Sequence, residues 1–334
     1  MAADRIAVLG AGSVGCYVGG AWAAAGLDVT LIGRERFAGA IAKHGLTLSD
    51  YSGWQETIRP QFVTDPEALA EAGVIVVAVK GGSTGEAGET IARYATPGAT
   101  VVSLQNGIGN KAILAEAFGD RLTLAQGTVP YNVIYLGDGR FHKGVAGKLM
   151  AENTAEMRAL AERVAASRET LRLSDDIAGV LWGKLLINLN NAVNALSGLT
   201  LRDELAQRGY RRVVAASQRE ALRILKRAGI TPARAGPLSP NMIPRAIDSP
   251  NWLFQNVLAR RWKIDDKARS SMSDDLMSGR KTEIDQLNGE VVRLAESFGI
   301  EAPVNQRIVE LVREAEAGAP ALSPEQLERA VLRR

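Results

Sequence analysis

The feature that most constrains this chain is a glycine-rich stretch close to its N-terminus. A short apolar run leads into a G-x-G-x-x-G pattern made by Gly10, Gly12 and Gly15, and an alanine-rich segment compatible with a helix follows. A strand that turns tightly into a helix directs free backbone N–H groups and the positive end of the helix dipole at one point. That point can bind a pyrophosphate, so the pattern predicts a dinucleotide site that includes Ser13 and Val14.

A membrane segment is the alternative for this region, because residues 6–26 carry no charge and are long enough to span a bilayer. The run contains six glycines, which are too many for a stable isolated helix. Asp4 and Arg5 also make a poor start for a signal peptide. We therefore expect no membrane contact and a helix whose small residues pack closely on a sheet.

Composition narrows the class of protein further. A chain of 334 residues exceeds one typical domain, so we expect two. The 40 Lys and Arg against 37 Asp and Glu give no basic surplus that would favour nucleic acid. Cys16 stands alone, so no internal disulfide can form and a reducing, cytoplasmic setting is favoured. His44 and His142 are the only histidines, so we expect no His-based metal site.

The first half of the chain alternates short apolar strands with helical segments, which predicts a parallel, doubly wound α/β sheet of the Rossmann type. The predicted strands cover residues 6–9, 29–32, 74–79, 100–104 and 122–129, with extra strands near 128–135 and 147–149 closing the sheet edge. Residues 1–174 are therefore predicted to form a dinucleotide-binding domain.

Long amphipathic patterns dominate from about residue 175, which predicts an all-α second domain over residues 175–334. The predicted helices cover residues 177–196, 201–228, 251–262 and 274–298. A loop is expected over the Pro- and Ser-rich residues 231–250, and a short peripheral helix after residue 320.

The end of the second strand bears on the choice of cofactor. An acidic residue there would bind the ribose 2′-hydroxyl of NAD, whereas an arginine would accommodate the 2′-phosphate of NADP. Arg34 occupies this position and Arg36 is close by, so the sequence favours NADPH. Glu35 would be the ribose acid if the strand ended one residue later, and both arginines could instead be ordinary surface residues.

Polar residues follow two of the predicted strands at their carboxyl ends. Lys80 stands in Val79-Lys80-Gly81, and Asn106 stands in Gln105-Asn106-Gly107. Ligands of open α/β sheets bind outside the carboxyl ends of the strands, so both side chains are expected in that crevice. The alternative for Asn106 is a simple Asn-Gly turn.

A third polar set lies on the first predicted helix of the second domain. At about 100° per residue, Asn188 is roughly +40° and Asn191 roughly −20° from Lys184, so the three share one face. A solvated face would more naturally carry Glu, Lys and Arg. The pattern therefore favours a buried polar site, in which burial lowers the pKa of the lysine and lets it act as a general acid.

Together these motifs resemble those of the ketopantoate reductase family (2-dehydropantoate 2-reductases), and the resemblance runs through nearly the whole chain. It also rests on Trp182 two residues before Lys184 and on the segment R-K-T-E-I-D-x-x-N-G at residues 280–289. It implies a Rossmann domain followed by an all-α domain of the 6-phosphogluconate-dehydrogenase C-terminal type. It also implies NADPH-dependent reduction of 2-dehydropantoate to pantoate, a step of pantothenate and coenzyme A biosynthesis.

The resemblance implies a role for each matching residue. Lys184 matches the general acid, and Glu283 matches the glutamate that assists it and helps to position substrate. Lys80 and Asn106 match residues that contact cofactor and substrate. Ser271, twelve residues before Glu283, matches the serine that holds the substrate carboxylate.

Two positions depart from the family pattern. Ala192 stands where a second asparagine is common, and Ala268 replaces a substrate-binding asparagine. Asn191 or Asn194 could substitute for the first, and we place Asn188 and Asn191 among the substrate-binding residues. Losing a hydrogen bond to a substrate hydroxyl can change specificity strongly. The departures therefore leave the preferred 2-oxo acid open.

Two alternative functions follow. The first is an NADPH reductase of the same fold that acts on another 2-oxo acid or carbonyl compound, for which Trp252, Phe254 and Trp262 could line a pocket. The second is a non-catalytic NADP-binding sensor, against which the pair Lys184 and Glu283 argues. The expected partners are a small 2-oxo acid and a second copy of the chain in a homodimer, with dimer contacts in the helical domain.

Overall fold

The computed structural model describes residues 4–236, 238–255 and 268–333. The chain divides into two compact units, Met1–Ile177 and Ala178–Arg334. This division lies three residues beyond the predicted boundary. Within the described ranges, no helix is both long enough and apolar enough to cross a membrane.

The N-terminal unit is an α/β unit in which two sheets are described. Its strands are β1 (Ile6–Leu9), β2 (Val29–Ile32), β3 (Leu46–Asp50), β4 (Gln55–Ile58), β5 (Gln61–Val63), β6 (Val74–Val77), β7 (Thr100–Ser103), β8 (Thr123–Thr128), β9 (Val133–Tyr135), β10 (Arg140–Lys143), β11 (Leu149–Glu152) and β12 (Leu171–Ser174). Its helices are α1 (Ser13–Ala24), α2 (Glu35–His44), α3 (Thr84–Tyr94), α4 (Asn110–Phe118) and α5 (Ala155–Arg163).

The main sheet has eight strands in the order β12-β11-β8-β7-β6-β1-β2-β5. From β8 to β5 every neighbouring pair is parallel, and the antiparallel contact between β11 and β8 lies towards the far edge. The central strands β1 and β6 are buried throughout, as expected for a parallel sheet covered on both faces. This is the predicted doubly wound arrangement, with β11 among the added strands near one edge.

The second sheet has four strands in the order β4-β3-β10-β9 and was not predicted. The prediction that residues 128–135 close the main sheet is wrong for β9, which pairs antiparallel with β10 instead. Tyr135 of β9 packs against Phe37 and Phe141, with ring centroids 5.1 Å and 4.9 Å apart. Phe37 and Phe141 are buried while Tyr135 stays exposed, so the ring contacts of Tyr135 cover the two buried rings from the second sheet.

Helix α1 packs on both sheets, which requires residues without side chains. A Cβ at Gly19 would lie 2.5 Å from Cδ2 of Leu31 in the main sheet. A Cβ at Gly20 would lie 2.7 Å from Cδ2 of Leu46 in the second sheet. Tyr17 and Trp22 of α1 are also buried. The uncharged run at the N-terminus is thus a strand and a helix enclosed between sheets.

A buried ion pair stabilises this enclosure. Nζ of Lys143 in β10 donates to Oε1 of Glu169 at 2.6 Å, and both side chains are less than a tenth exposed. The hydroxyl of Tyr131 donates to Oε2 of the same carboxylate at 2.6 Å, and Nε1 of Trp22 donates to the Glu169 carbonyl at 2.7 Å. Because each charge has a partner, the pair links the second sheet to α1 without leaving a buried charge uncompensated.

The described part of the C-terminal unit is helical. Its helices are α6 (Ile177–Asn188, which begins at the unit boundary), α7 (Asn190–Ser197), α8 (Leu201–Ala206), α9 (Arg208–Arg227), α10 (Ile243–Ile247), α11 (Asn251–Leu253), α12 (Ser271–Met277), α13 (Asn288–Ser297), α14 (Pro303–Glu316) and α15 (Pro324–Leu332). The apolar faces of α7, α9, α10, α12, α14 and α15 form one buried cluster, to which α7, α9 and α14 contribute most residues.

Three of the predicted long helices are shorter segments in the structure. The first divides at Leu189, in a region where four asparagines lower helix propensity. The second divides at Gln207, whose backbone is extended (φ −104°, ψ 116°). The third ends before Gly279, which adopts φ +64°. Hydrophobic periodicity continues across the one-residue breaks at Leu189 and Gln207, which is why the sequence pattern does not reveal them.

The predicted loop and the predicted C-terminal helix of this unit both differ from the structure. The loop predicted over residues 231–250 contains α10, and α15 is not peripheral because Leu327 is fully buried in the core. Of the predicted helix over residues 251–262, the structure describes α11 and the residues up to 255. Trp262 lies outside the described residues.

Candidate functional site

The glycine turn joins β1 to α1 in a conformation that side chains would prevent. Gly10 has φ +94°, and a Cβ there would lie 2.5 Å from the backbone nitrogen of Val79. A Cβ at Gly15 would lie 2.5 Å from the Gly10 carbonyl oxygen. At Gly12, by contrast, the nearest neighbour of a Cβ would be the Gly10 oxygen at 4.0 Å, so the space in front of the helix is open. Glycine there leaves room for a ligand to approach the backbone.

The first turn of α1 has the properties of an anion site. Its N-cap residue is Gly12, which has no side chain to cap the first N–H groups. The first turn, which includes Ser13 and Val14, carries no acidic residue. The N–H groups of a first helical turn have no partner within their own helix. This geometry fits the diphosphate of a dinucleotide.

Arg34 lies beside this turn at the end of β2. The strand ends at Ile32, and Arg34 is the exposed N-cap residue of α2, which begins at Glu35. A Cβ on the intervening Gly33 would lie 2.9 Å from the Ala11 oxygen, so the two turns are in close contact. Arg34 makes no side-chain capping bond to α2, so its guanidinium has no structural task in that cap.

The guanidinium of Arg36 has a different surrounding. It lies 4.5 Å above the ring centroid of Phe37, in a cation–π arrangement. The two arginines are therefore not equivalent, and Arg34 is the better candidate for a ligand contact.

Lys80 and Asn106 lie beyond the same edge of the main sheet. Val77 of β6 pairs with Ser103 of β7, and each polar residue follows its strand partner by three positions. Lys80 is exposed and is the N-cap of a short 3₁₀ segment, Gly81–Ser83, while Asn106 is half-buried before Gly107 with φ +89°. The structure thus brings both predicted residues to the edge that also carries the glycine turn.

A buried hydrogen-bond network, which the sequence reasoning missed, holds these two loops together. Nε2 of Gln105 donates to the Val79 carbonyl at 3.1 Å and to Oγ1 of Thr84 at 2.8 Å. Oγ1 of Thr84 lies 2.8 Å from Oδ1 of Asn110, whose Nδ2 donates to the Asn106 carbonyl at 2.6 Å. The available signal was Gln105 itself, a polar residue directly after a buried strand.

In the helical unit, Lys184 lies in the middle of α6 among apolar neighbours. Trp182 and Leu185 are buried, and Lys184 itself is half-buried. Gly183 permits a close approach of the chain, because a Cβ there would lie 2.1 Å from the Ala233 oxygen. The nitrogen of Ala233 donates to the Gly179 carbonyl at 2.7 Å, which fixes this contact.

Burial lowers the pKa of Lys184 from an ordinary value of 10.5 to about 8, against the opposing attraction of Glu283. Desolvation penalises the ammonium form, whereas a nearby carboxylate favours it. Glu283 is half-buried at the N-cap of a short 3₁₀ segment, Ile284–Gln286. The two predicted catalytic residues therefore interact, and the resulting pKa suits a proton donor near neutral pH.

The asparagines near Lys184 have different surroundings. Asn188 is half-buried at the last position of α6, one turn after the lysine, and Asn191 is half-buried in the first turn of α7. Asn194 is fully buried; its Nδ2 donates to the Leu199 carbonyl and its Oδ1 accepts from the Ser270 nitrogen. Of the two candidates for the missing family asparagine, Asn191 is thus the accessible one. Ala192 packs in the apolar core.

Ser271 is the exposed first residue of α12, and its neighbour Ser270 holds it in place. Oγ of Ser270 caps α12 by accepting from the Ser273 nitrogen at 3.1 Å. The same hydroxyl donates to the Asn191 carbonyl at 3.2 Å. Asn191 and Ser271, both predicted to bind substrate, are therefore connected through Ser270.

A buried carboxyl group, which the sequence reasoning also missed, lies behind these residues. Glu204 of α8 is fully buried and accepts from Nδ2 of Asn190 at 3.1 Å. Burial raises its pKa to about 8, opposed by hydrogen bonds from Asn190 and Asn194 and by the charge of Arg211. An acidic residue beside Leu205, on the apolar side of a short helix, was the available signal.

Comparison with known proteins decides the family. The family model described as ketopantoate reductase PanE/ApbA matches residues 6–155, and the one described as ketopantoate reductase PanE/ApbA C terminal matches residues 176–316. The chain belongs to the ketopantoate reductase PanE/ApbA family. The resemblance read from the motifs is therefore confirmed, and the protein is an oxidoreductase that acts on a CH–OH group.

Individual relatives agree with this assignment over almost their whole length. A 2-dehydropantoate 2-reductase of Halobacterium salinarum is 29% identical, with 93% of this chain and 99% of the relative covered. The crystal structure of a PanE/ApbA family ketopantoate reductase from Ralstonia eutropha JMP134 matches with a TM-score of 0.80 at 29% identity, covering 94% and 98% of the two chains.

A more distant neighbour shares the fold. The ternary structure of D-mandelate dehydrogenase with NADH and anilino(oxo)acetate matches with a TM-score of 0.75 at 20% identity, covering 94% of this chain and 98% of that chain. At this identity the likeness concerns the fold alone. The predicted Rossmann domain with an all-α second domain is confirmed by the family and its structures. The roles of the individual site residues stay predictions.

Proposed function

We propose that this protein reduces the ketone of a 2-oxo acid, with 2-dehydropantoate as the first candidate, and that NADPH is the electron donor. The observation that carries the proposal is the pair Lys184 and Glu283: a half-buried lysine with a pKa of about 8 beside a carboxylate. Membership of the ketopantoate reductase family supplies the reaction class. The relative from Halobacterium salinarum, named 2-dehydropantoate 2-reductase, supplies the first substrate to test.

The N-terminal unit would hold the nicotinamide dinucleotide through the glycine turn. When bound, this cofactor supplies the hydride that the protein's side chains cannot provide. Gly12 would leave room for the diphosphate, and the first-turn N–H groups of α1 would bind it. Lys80 and Asn106 would add polar contacts from the ends of β6 and β7.

The helical unit would supply the acid. The ammonium of Lys184 would donate a hydrogen bond to the ketone oxygen and then its proton as negative charge develops there. Glu283 would keep the lysine protonated and oriented. Asn188 and Asn191 would bind the substrate beside it, and Ser271 would bind the carboxylate.

Replacing the acid tests the proposal directly. Lys184→Ala should lower kcat by about 10²- to 10⁴-fold, the contribution of a positioned general acid, while leaving NADPH binding nearly unchanged. The reaction is followed by the absorbance of reduced nicotinamide, and binding by quenching of protein fluorescence. Lys226→Ala, an exposed lysine of α9, is the matched control. Normal turnover by the Lys184 variant would exclude the proposed mechanism.

The choice of NADPH depends on Arg34. A charge-assisted hydrogen bond contributes about 1.5–3 kcal/mol, so Arg34→Ala should raise KM for NADPH roughly 10- to 100-fold and leave KM for NADH unchanged. Arg36→Ala is the control, because its guanidinium lies over Phe37. Equal effects of Arg34→Ala on both cofactors would argue against a 2′-phosphate contact.

The substrate is tested with 2-dehydropantoate and analogues that lack its hydroxyl group. A preference for 2-dehydropantoate of about 10-fold or more in kcat/KM would support it as the substrate. Equal rates would favour a different 2-oxo acid. The predicted homodimer is tested separately by light scattering after size-exclusion chromatography.

A further inference from the structure

Two adjacent polar side chains lie in the core-facing part of α9. Ser217 and Gln218 are buried, one turn after Val213 and Val214 and one turn before Ala221. Buried polar groups are costly unless they form hydrogen bonds, so their partners indicate what they stabilise. Neighbouring residues on a helix point about 100° apart, and these two contact different elements.

Gln218 contacts the helix that carries Lys184. Its Nε2 donates to the Leu186 carbonyl at 2.9 Å. The last four carbonyl groups of a helix have no partner within it, and Leu186 is one of these because α6 ends at Asn188. Gln218 therefore caps the end of α6, and Leu186 is only two residues from Lys184.

Ser217 contacts the segment that follows Glu283. Its Oγ donates to Oδ1 of Asn305 at 2.7 Å, and Nδ2 of Asn288 donates to the same oxygen at 3.0 Å. Asn288 is the first residue of α13, five positions after Glu283 and separated from it by the 3₁₀ segment Ile284–Gln286. Ser217, Asn288 and Asn305 are fully buried.

Glu220 anchors this network at its far side. Its Oε2 accepts from Nδ2 of Asn305 and from the Asn305 nitrogen, both at 2.8 Å, and its Oε1 accepts from the Val304 nitrogen at 3.1 Å. These nitrogens belong to the first turn of α14, where a carboxylate is favourable. One turn of α9 thus binds α6 on one side and the start of α13 and α14 on the other.

We propose that Gln218 and Ser217 are positioning residues that fix the separation of Lys184 and Glu283. This inference rests on the proposed function. Gln218 acts through Leu186 on the lysine, and Ser217 acts through Asn305 and Asn288 on the glutamate. Because the attraction between two charges falls as they separate, a displacement of either segment weakens the stabilisation of the ammonium form.

The test replaces Gln218 by a residue of similar size without the amide. Gln218→Met should move the basic limb of the kcat profile to lower pH by about half a unit, which lowers kcat about threefold on that limb. The control is Tyr210→Phe, on the same helix, which removes a hydrogen bond to the Leu322 carbonyl of 2.7 Å. It should lower the melting temperature to a comparable extent and leave the limb in place.

A second variant and a double variant complete the design. Ser217→Ala should shift the limb in the same direction, and it provides the test if Gln218→Met does not fold. In a Glu283→Gln background Gln218→Met should cause no further shift, because the interaction on which it acts is gone. If both single variants lowered the melting temperature without moving the basic limb of the kcat profile, Ser217 and Gln218 would have only a structural role. Full activity of Lys184→Ala would instead refute the proposed function.

Discussion

Lys184 should make the stability of the protein depend on pH in a way that can be calculated. Its pKa in the folded chain is about 8, against an ordinary value of 10.5. One pKa unit corresponds to about 1.4 kcal/mol, so below pH 8 the desolvated ammonium lowers the free energy of unfolding by about 3 kcal/mol. This penalty is the thermodynamic cost of keeping the proposed proton donor in apolar surroundings.

The direction of the pH dependence follows from the protons bound in each state. Between pH 8 and pH 10.5 the unfolded chain holds more protons at this lysine than the folded chain, so rising pH stabilises the folded chain. The penalty is fully present well below pH 8 and is relieved as pH rises through that window. Calculated for these two pKa values, it decreases by about 1.4 kcal/mol between pH 7 and pH 9.

The perturbation is Lys184→Met, which keeps the length of the side chain and removes its titration. Urea unfolding followed by far-ultraviolet circular dichroism is measured for both proteins at pH 7 and pH 9. Other groups titrate in both proteins, so the difference between the two free energies of unfolding isolates this lysine. It should change by about 1.4 kcal/mol in favour of the wild type on going to pH 9. The same difference at both pH values would refute the assignment of a lowered pKa.

Three further outcomes follow from the structure. Gly10→Ala forces a positive φ and places a Cβ 2.5 Å from the Val79 nitrogen, so it should cost about 2 kcal/mol or more in urea unfolding and raise KM for the cofactor. Lys143→Met leaves the Glu169 carboxylate buried without its cation and should cost about 3–5 kcal/mol; a loss within 1 kcal/mol would contradict the role of this pair. Ser271→Ala should raise KM for the 2-oxo acid about 10-fold and leave KM for NADPH unchanged, which steady-state kinetics would check.

Sequence predicts well those parts of the fold that depend on residues close together in the chain. The strands around the glycine turn are short apolar runs, and their alternation with helices is visible directly. The second sheet could not be found this way, because β3 pairs with β10, about 90 residues further along the chain. Packing between segments that are far apart in the sequence decides such pairings. The local sequence of either strand does not indicate which strand it pairs with.

In the candidate site, too, sequence indicates the residues that belong to motifs and misses those that support them. Lys184 and Glu283 were recognisable because each stands in a specific motif. The sequence left both Asn191 and Asn194 as candidates for the missing asparagine, although only Asn191 shares the helix face of the lysine. Only the structure shows that Asn194 is fully used in holding Leu199 and Ser270. No motif marks the supporting residues Gln105, Glu204 and Gln218. The only sequence signal for each was a polar residue at a position where an apolar one is expected.

The enclosure of α1 between two sheets has a consequence for how cofactor preference can change. The helix proposed to bind the diphosphate has buried core on opposite faces and cannot be adjusted locally, because almost any new side chain at Gly19 or Gly20 would collide with leucine methyl groups. Variation in cofactor use must therefore fall on residues outside that enclosure. Arg34 is such a residue, exposed at the end of β2. Directed evolution towards NADH should accumulate changes at Arg34 and leave α1 untouched.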